Sequence, residues 1–274
     1  MADSALGAFL RAHRSRLTPA DVGLAQDATG HRRTPGLRRE EVAARAGISP
    51  DYYTRLEQGR PRVPTPAVLD SLARALLLTD AERAYLHTIA APRREPAAVR
   101  TRPVTPAARA LLEALNDTPA FIAGPRFDLL AWNPLGAALM AGLAQRPPHE
   151  RNLLWQVFCC PYGAAPANRE PEDSIGAQLV ASLRTAHADR PSDPALTRLV
   201  ARLSASSPEF AALWKMHRAG APAEGELRLR HPKVPADTLP YTLLSLPTPG
   251  HHLFTCLPPP RIPTPFRALT ATGP

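Results

Sequence analysis

The sequence predicts a multidomain chain in which an all-α region is followed by an α+β region. Three observations predict this. Apolar residues recur at helical spacing behind capping residues over about residues 1–90. The next stretch, Ala91 to Pro106 (APRREPAAVRTRPVTP), has four prolines and four arginines, the composition of an extended, solvated linker. Over about residues 107–257, apolar runs of strand length alternate with helical segments. The chain from Pro258 (PPPRIPTPFRALTATGP) is proline-rich again and reads as a tail covering 258–274. No internal repeat is present.

Each element has a local reason. Asp3 is expected to cap a first helix, with Leu6, Phe9, Leu10 and His13 at i, i+3, i+4 and i+7. From Leu17 to Gly36 this period is lost and a loop is expected. A second helix is expected from Arg38 to Ala46, with Val42, Ala43 and Ala46 inward, and Gly47 supplies the freedom for a sharp turn. Ser49 caps the third helix, with Pro50 at its first position, where a missing N–H costs nothing. Ile48 and Tyr53 stand at staple positions, and Gly59 stops the helix. Thr65 and Pro66 open a fourth helix with Val68, Leu69, Leu72, Ala73 and Leu76 on one face. Thr79 and Glu82 form a capping box for a fifth that ends near Ala90.

Beyond the linker come a helix and two strands (Pro119–Ala123, Phe127–Trp132). Several helices and three late strands follow (Gly225–His231, Thr238–Leu246, His251–Leu257). Asn133 before Pro134 reads as a helix cap.

The net charge is +9, and only Lys215 and Lys233 among the 33 basic residues are lysine. A basic balance favours polyanions, but arginine usage also follows genome composition, so position has to decide. From His31 to Arg62 the arginines at 32, 33, 38, 39, 45, 55, 60 and 62 face acids at 40, 41, 51 and 57, a local excess of +4. Cys159, Cys160 and Cys256 are too few for a disulfide framework, and no signal peptide is recognisable, so a reducing cytoplasm is expected. No apolar run reaches the roughly 18 residues that span a bilayer.

The pattern LRREEVAARAGISPDYYTRLEQGRPRVPTPAVLDSLARAL resembles the lambda-repressor-like, XRE-type helix-turn-helix. It fixes small residues (Ala43, Gly47), core residues (Val42, Ile48, Tyr53, Leu56) and the Glu57–Gly59 stop at set spacings. The resemblance implies a five-helix DNA-binding head whose third helix lies in the major groove. With Tyr53 and Leu56 inward, Asp51, Tyr52 and Arg55 are the expected base-reading residues: arginine pairs with guanine O6 and N7, and aspartate accepts from cytosine N4. An i,i+4 surface pair of Asp51 with Arg55 is the plainer alternative. Arg38, Arg39, Ser49, Arg60 and Arg62 flank the turn where phosphates are met. Arg45 reads as a solvated charge. His31-Arg32-Arg33 either reaches along the DNA or belongs to a plain loop.

In the second region, TPAFIAGPRFDLLAWNPLGAAL is followed by RNLLWQVF, SPEFAALW and RLRHP. Behind such a head this succession looks like the MmyB-like regulators. That resemblance implies a PAS-like sheet covered by helices, with an apolar pocket for a small or fatty-acid-like ligand. Trp132, Trp155, Phe158 and Trp214 are the candidate pocket walls, although aromatic residues at such spacings belong to a core more often than to a binding site. The sequence departs from the family where W-x-x-H-D-V reads Trp214, His217, Arg218 and Ala219. The expected protein is a ligand-responsive, homodimeric transcription regulator that binds double-stranded DNA and needs no cofactor or metal. The alternatives are a DNA-binding protein whose second region only dimerises or contacts a partner, and an enzyme fused to a DNA-binding head. The familiar nucleophile, zinc and phosphate-loop motifs are missing, Cys159-Cys160 suits no tetrahedral metal, and His251-His252 face opposite sides of a strand.

Overall fold

A computed structural model describes residues 4–24, 36–59, 63–91, 102–140, 142–160, 164–165, 174–220, 224–229 and 238–257. Most of the proline- and arginine-rich stretch (92–101), the tail 258–274 and the tract His31-Arg32-Arg33 lie outside them. The chain divides into two units: Met1–Glu95 with Lys215–Gly220, and Pro96–Trp214 with Ala221–Pro274.

The first unit is helical. Its helices are α1 (Ala5–Arg16), α2 (Arg39–Ala46), α3 (Pro50–Glu57), α4 (Pro66–Ala75) and α5 (Asp80–Ala90). Ser4 caps α1, its Oγ accepting from Gly7 N at 3.0 Å; Asp3, the expected cap, lies outside the described residues. The expected loop after Leu17 contains a 3-10 turn, Ala20–Val22, which Asp21 braces by accepting from the backbone and hydroxyl of Thr18. Gly47 adopts φ +66°, and Ile48 N bonds back to Ala43 O at 3.0 Å, which closes α2 and turns the chain. The Thr79–Glu82 capping box forms in both directions. Phe9, Leu10, Val42, Tyr53, Leu72 and Leu86 are fully buried where the helices meet, at about 1.5–3 kcal/mol for each such side chain.

In the second unit the described elements are α6 (Pro106–Ala114), β1 (Ala120–Ala123), β2 (Leu129–Trp132), α7 (Pro134–Leu139), α8 (Leu153–Cys159), β3 (Ala164–Ala165), α9 (Ile175–Asp189), α10 (Pro194–Ser206), α11 (Pro208–Lys215), β4 (Glu224–Leu229), β5 (Thr238–Ser245) and β6 (His252–Cys256). The strands form one antiparallel sheet ordered β2-β1-β6-β5-β4-β3. β4 carries the strand expected over Gly225–His231, whose last two residues lie outside the described ones, and β3 was not anticipated. β1 is buried on both faces, because Ala120 and Ile122 pack with Leu112 of α6 and Leu253 on one side while Phe121 meets Phe254 on the other.

The high proline content has a structural outlet. Proline opens α3, α4, α6, α7, α10 and α11, each time directly after a Ser, Thr, Asn or Asp whose side chain accepts from the first turn.

Two buried amides hold the second unit's irregular segments. Asn133 caps α7, its Oδ1 accepting from Gly136 N (2.8 Å) and Ala120 N (3.1 Å), while its Nδ2 donates to Leu115 O and Thr118 O, both at 2.7 Å. Asn152 caps α8 in the same way and donates to Arg126 O at 2.8 Å. The Asn133 expectation of a helix cap holds, and the residue also fastens the approach to β1.

Candidate DNA interface

α3 is built to present one face. Ser49 Oγ accepts from Tyr52 N at 3.2 Å and Pro50 occupies the first turn. Tyr53, Leu56 and Glu57 are buried, while Asp51 and Arg55 are exposed one turn apart. Arg55 Nη2 lies 2.7 Å from Asp51 Oδ2, so in the free protein the two form the i,i+4 surface pair. Tyr52 is half-buried beside them.

Glu57 is the unexpected centre of the unit. Read from sequence only as part of the helix stop, it has a side chain with no exposure at all. Its carboxylate receives Arg14 Nε from α1 at 2.6 Å and Arg39 Nε from α2 at 2.8 Å. Burial raises its pKa, but the hydrogen bonds and charges of Arg14 and Arg39 outweigh that and hold it below the ordinary glutamate value. The Tyr53 phenol is pushed upward by burial and by the Glu57 charge. One carboxylate thus joins three helices and fixes the position of α3.

α1 also clasps the end of α3. A Cβ on Gly7 would fall 2.2 Å from Glu57 O, so only glycine lets the helices approach this closely. Arg11 Nη2 donates to the same carbonyl at 3.3 Å. Gly59, at φ +67°, lies so near Ser4 that a Cβ would fall 2.5 Å from the serine Oγ. Gly7, Arg11 and Arg14 were not singled out in the sequence; the one available signal was their recurrence at three- and four-residue spacing along α1.

Arg39 therefore serves the fold, with its side chain still 44% exposed. Arg38 is exposed, and its backbone N donates to Glu41 Oε2 at 2.6 Å at the start of α2. Arg45 corrects its expectation: although exposed, it donates to Val22 O at 2.6 Å and ties the 3-10 turn to α2. Arg60 and Arg62 lie outside the described residues.

In the second unit, Phe158 meets Phe210 edge-on, and Phe210 stacks on Trp214 at 5.8 Å. The Arg184 guanidinium sits 4.0 Å over Trp214 and also donates to its carbonyl. Trp132 and Trp155 are half-buried, the latter with Arg202 5.9 Å from its ring. A cavity beneath α9 is lined by none of these four aromatics. The thiols are unsuited to nucleophilic work: burial pushes Cys159 up to about 11 and Cys256 up to about 12. Among the described residues, no three His, Cys, Asp or Glu side chains are grouped to hold a metal, and no helix is long and apolar enough to cross a membrane.

A small-residue turn between two short helices, with the second presenting an exposed polar face on a helical scaffold, defines a helix-turn-helix protein. Comparison with known families agrees: residues 5–86 match a helix-turn-helix domain, and residues 104–271 match the MmyB-like transcription regulator ligand binding domain. The chain belongs to the MmyB-like transcription regulators. It is also similar to the uncharacterized HTH-type transcriptional regulator y4dJ of Sinorhizobium fredii (strain NBRC 101917 / NGR234), 49% identical over 51 residues. That match spans 19% of this chain and 65% of the relative.

Proposed function

We propose that the protein regulates transcription by binding double-stranded DNA through α3 in the major groove, as a homodimer, and that its second unit is a PAS-like sensor of a small molecule. The observation that carries the DNA reading is the exposed Asp51–Arg55 pair, on a helix whose opposite face is locked by Tyr53, Leu56 and Glu57. On DNA the pair opens, so that Arg55 reads a guanine and Asp51 and Tyr52 read neighbouring edges. Arg38, Ser49 and the exposed part of Arg39 face phosphate, with Arg60 and Arg62 beyond α3. The homodimer follows from size, because one eight-residue recognition helix reads too few base pairs for genomic specificity. The domain boundaries at 1–90, 107–257 and 258–274 belong to this reading. So does a sensor wall at the half-buried Trp132 and Trp155; Phe158 and Trp214, the other candidate walls, are engaged with Phe210.

Selection of bound genomic fragments gives the operator, and Arg55→Ala then tests the reading. The substitution is expected to cost about 1–3 kcal/mol on the operator and to relax preference at one base position. Affinity for scrambled DNA should fall less. Equal losses on both DNAs, measured at several salt concentrations, overturn the base-reading role.

A further inference from the structure

We infer that Lys215–Gly220, which follows Trp214 in the chain but belongs to the first unit, is a strap that sets how firmly α1 holds α3, and so how well the protein grips its operator. This rests on the ligand-responsive reading above and names the route by which a response reaches the DNA-binding helix.

α1 works on two opposite sides. Gly7, Arg11 and Arg14, at i, i+4 and i+7, grip the end of α3 through Glu57. Phe9, His13 and Arg16 repeat that spacing two residues on, a rotation of about 200° around the helix. There Arg16 Nη1 donates to Met216 O and His13 Nε2 to His217 O, both at 3.4 Å. His13 is 3% exposed, and its Nε2 also lies 3.8 Å from Glu82 Oε1 of α5. Both neighbours are acceptors, so this nitrogen carries the proton. One imidazole thus serves α5 and the strap together, while its ring packs on Phe9 at 4.2 Å. His217 sits at φ +54°, a left-handed conformation that a histidine keeps only where its surroundings hold it, and Ala219 is buried.

The residue before the strap is fixed as closely within the second unit. The buried Arg184 of α9 places its guanidinium 4.0 Å over the Trp214 ring and donates to the Trp214 carbonyl. Phe210 stacks on the same ring, and His187 meets it edge-on at 6.1 Å. Met216, held from α1, is only two residues on. Two residues reach at most about 7 Å when extended, so a shift of Trp214 is passed to Met216 and α1 instead of being taken up by slack. A guest that moves α9 or α11 thereby changes the hold of α1 on α3.

The test uses the full chain and the operator obtained by selection of bound genomic fragments. Arg184→Met, which frees the ring and carbonyl of Trp214, is expected to weaken operator binding about three- to tenfold, although Arg184 lies in the second unit. In a cut strap carrying His13→Leu and Arg16→Ala, the same substitution should cost nothing further. Coupling is reciprocal, so operator should change the tryptophan emission of the wild type, and both Trp214→Phe and the cut strap should lose that change. This second readout decides alone if Arg184→Met fails to fold. Wild-type operator affinity in Arg184→Met, losses that add in the cut background, or emission that ignores operator overturns the inference. Decanoate, as a trial effector, keeps this apart from the broader reading. If it moves operator affinity equally in wild type and in the cut strap, the strap is overturned and the ligand-responsive reading stands. If it moves affinity in neither, the ligand-responsive reading loses its fatty-acid-like ligand, and the Arg184 and emission results still judge the strap.

Discussion

The most connected buried polar groups of the two units are of opposite kinds. In the first it is a charge: the Glu57 carboxylate accepts from Arg14 and Arg39, and three helices converge on it. In the second they are neutral amides: Asn133 and Asn152 each donate and accept at once, stitching backbone to backbone around the strands. The difference follows from what each must hold. Helices satisfy their own interior peptide groups, so their docking needs only a few side-chain ties, and a carboxylate between two guanidinium groups reaches far. The ends of short strands and helices leave N–H and C=O groups together in one place, and only a carboxamide matches both. The first unit should therefore respond to acid through its tie.

The largest expected effect breaks that tie. Glu57→Gln leaves Arg14 and Arg39 without their anion and should destabilise the first unit by about 3–5 kcal/mol. The tryptophans Trp132, Trp155 and Trp214 all lie in the second unit, so their fluorescence follows that unit alone while circular dichroism follows both. A urea transition that shifts in circular dichroism but not in fluorescence is expected; equal shifts would mean the two units are one cooperative body. The sign with pH is fixed by the depressed Glu57 pKa. Its stabilisation is fully present above the ordinary glutamate value of about 4.3 and is lost as pH falls through the lower folded value. Wild type minus Glu57→Gln stability should thus shrink on acidification, and a difference that stays constant down to that range would contradict the ion pair.

Next in size, Asn133→Ala strands two N–H and two C=O groups and should cost the second unit about 2–4 kcal/mol. The fluorescence transition should now move, and a wild type minus Asn133→Ala difference that stays constant through the carboxylate range would sharpen the contrast with Glu57. Gly7→Ala comes third, at about 1–3 kcal/mol in the first unit, because the new methyl meets Glu57 O. Its effect on operator affinity should exceed its effect on the second unit's fluorescence transition, since it displaces α3. The smallest effect is on stability in Asp51→Ala, within about 0.5 kcal/mol for an exposed pair. A larger loss in thermal unfolding would make Asp51 structural and weaken its case as a base-reading residue.

Much of the first unit was legible because its signals are local. Ser49-Pro50, Thr65-Pro66 and the Thr79–Glu82 box act within one helical turn, and Gly47 sets a turn by its own backbone freedom. The exposed face carrying Asp51 and Arg55 follows from the 3.6-residue period once Tyr53 and Leu56 are inward. Five of the six described strands were legible by existence, from apolar runs of strand length between turn residues.

What the sequence did not disclose is pairing across distance. Sheet order, with β6 inserted between β1 and β5, depends on contacts more than a hundred residues apart, on which no local propensity bears. Arg45 looked solvated because its partner, Val22 O, is a backbone atom 23 positions away. Gly7 carried no signal because the atom it makes room for belongs to another helix. Caps, turns, helix faces and the polar face of α3 were set by the sequence itself, through forces that act within about one turn of the chain. The Arg14–Glu57–Arg39 tie and the strand order were decided only in the tertiary structure, because each joins groups that meet only when distant elements pack.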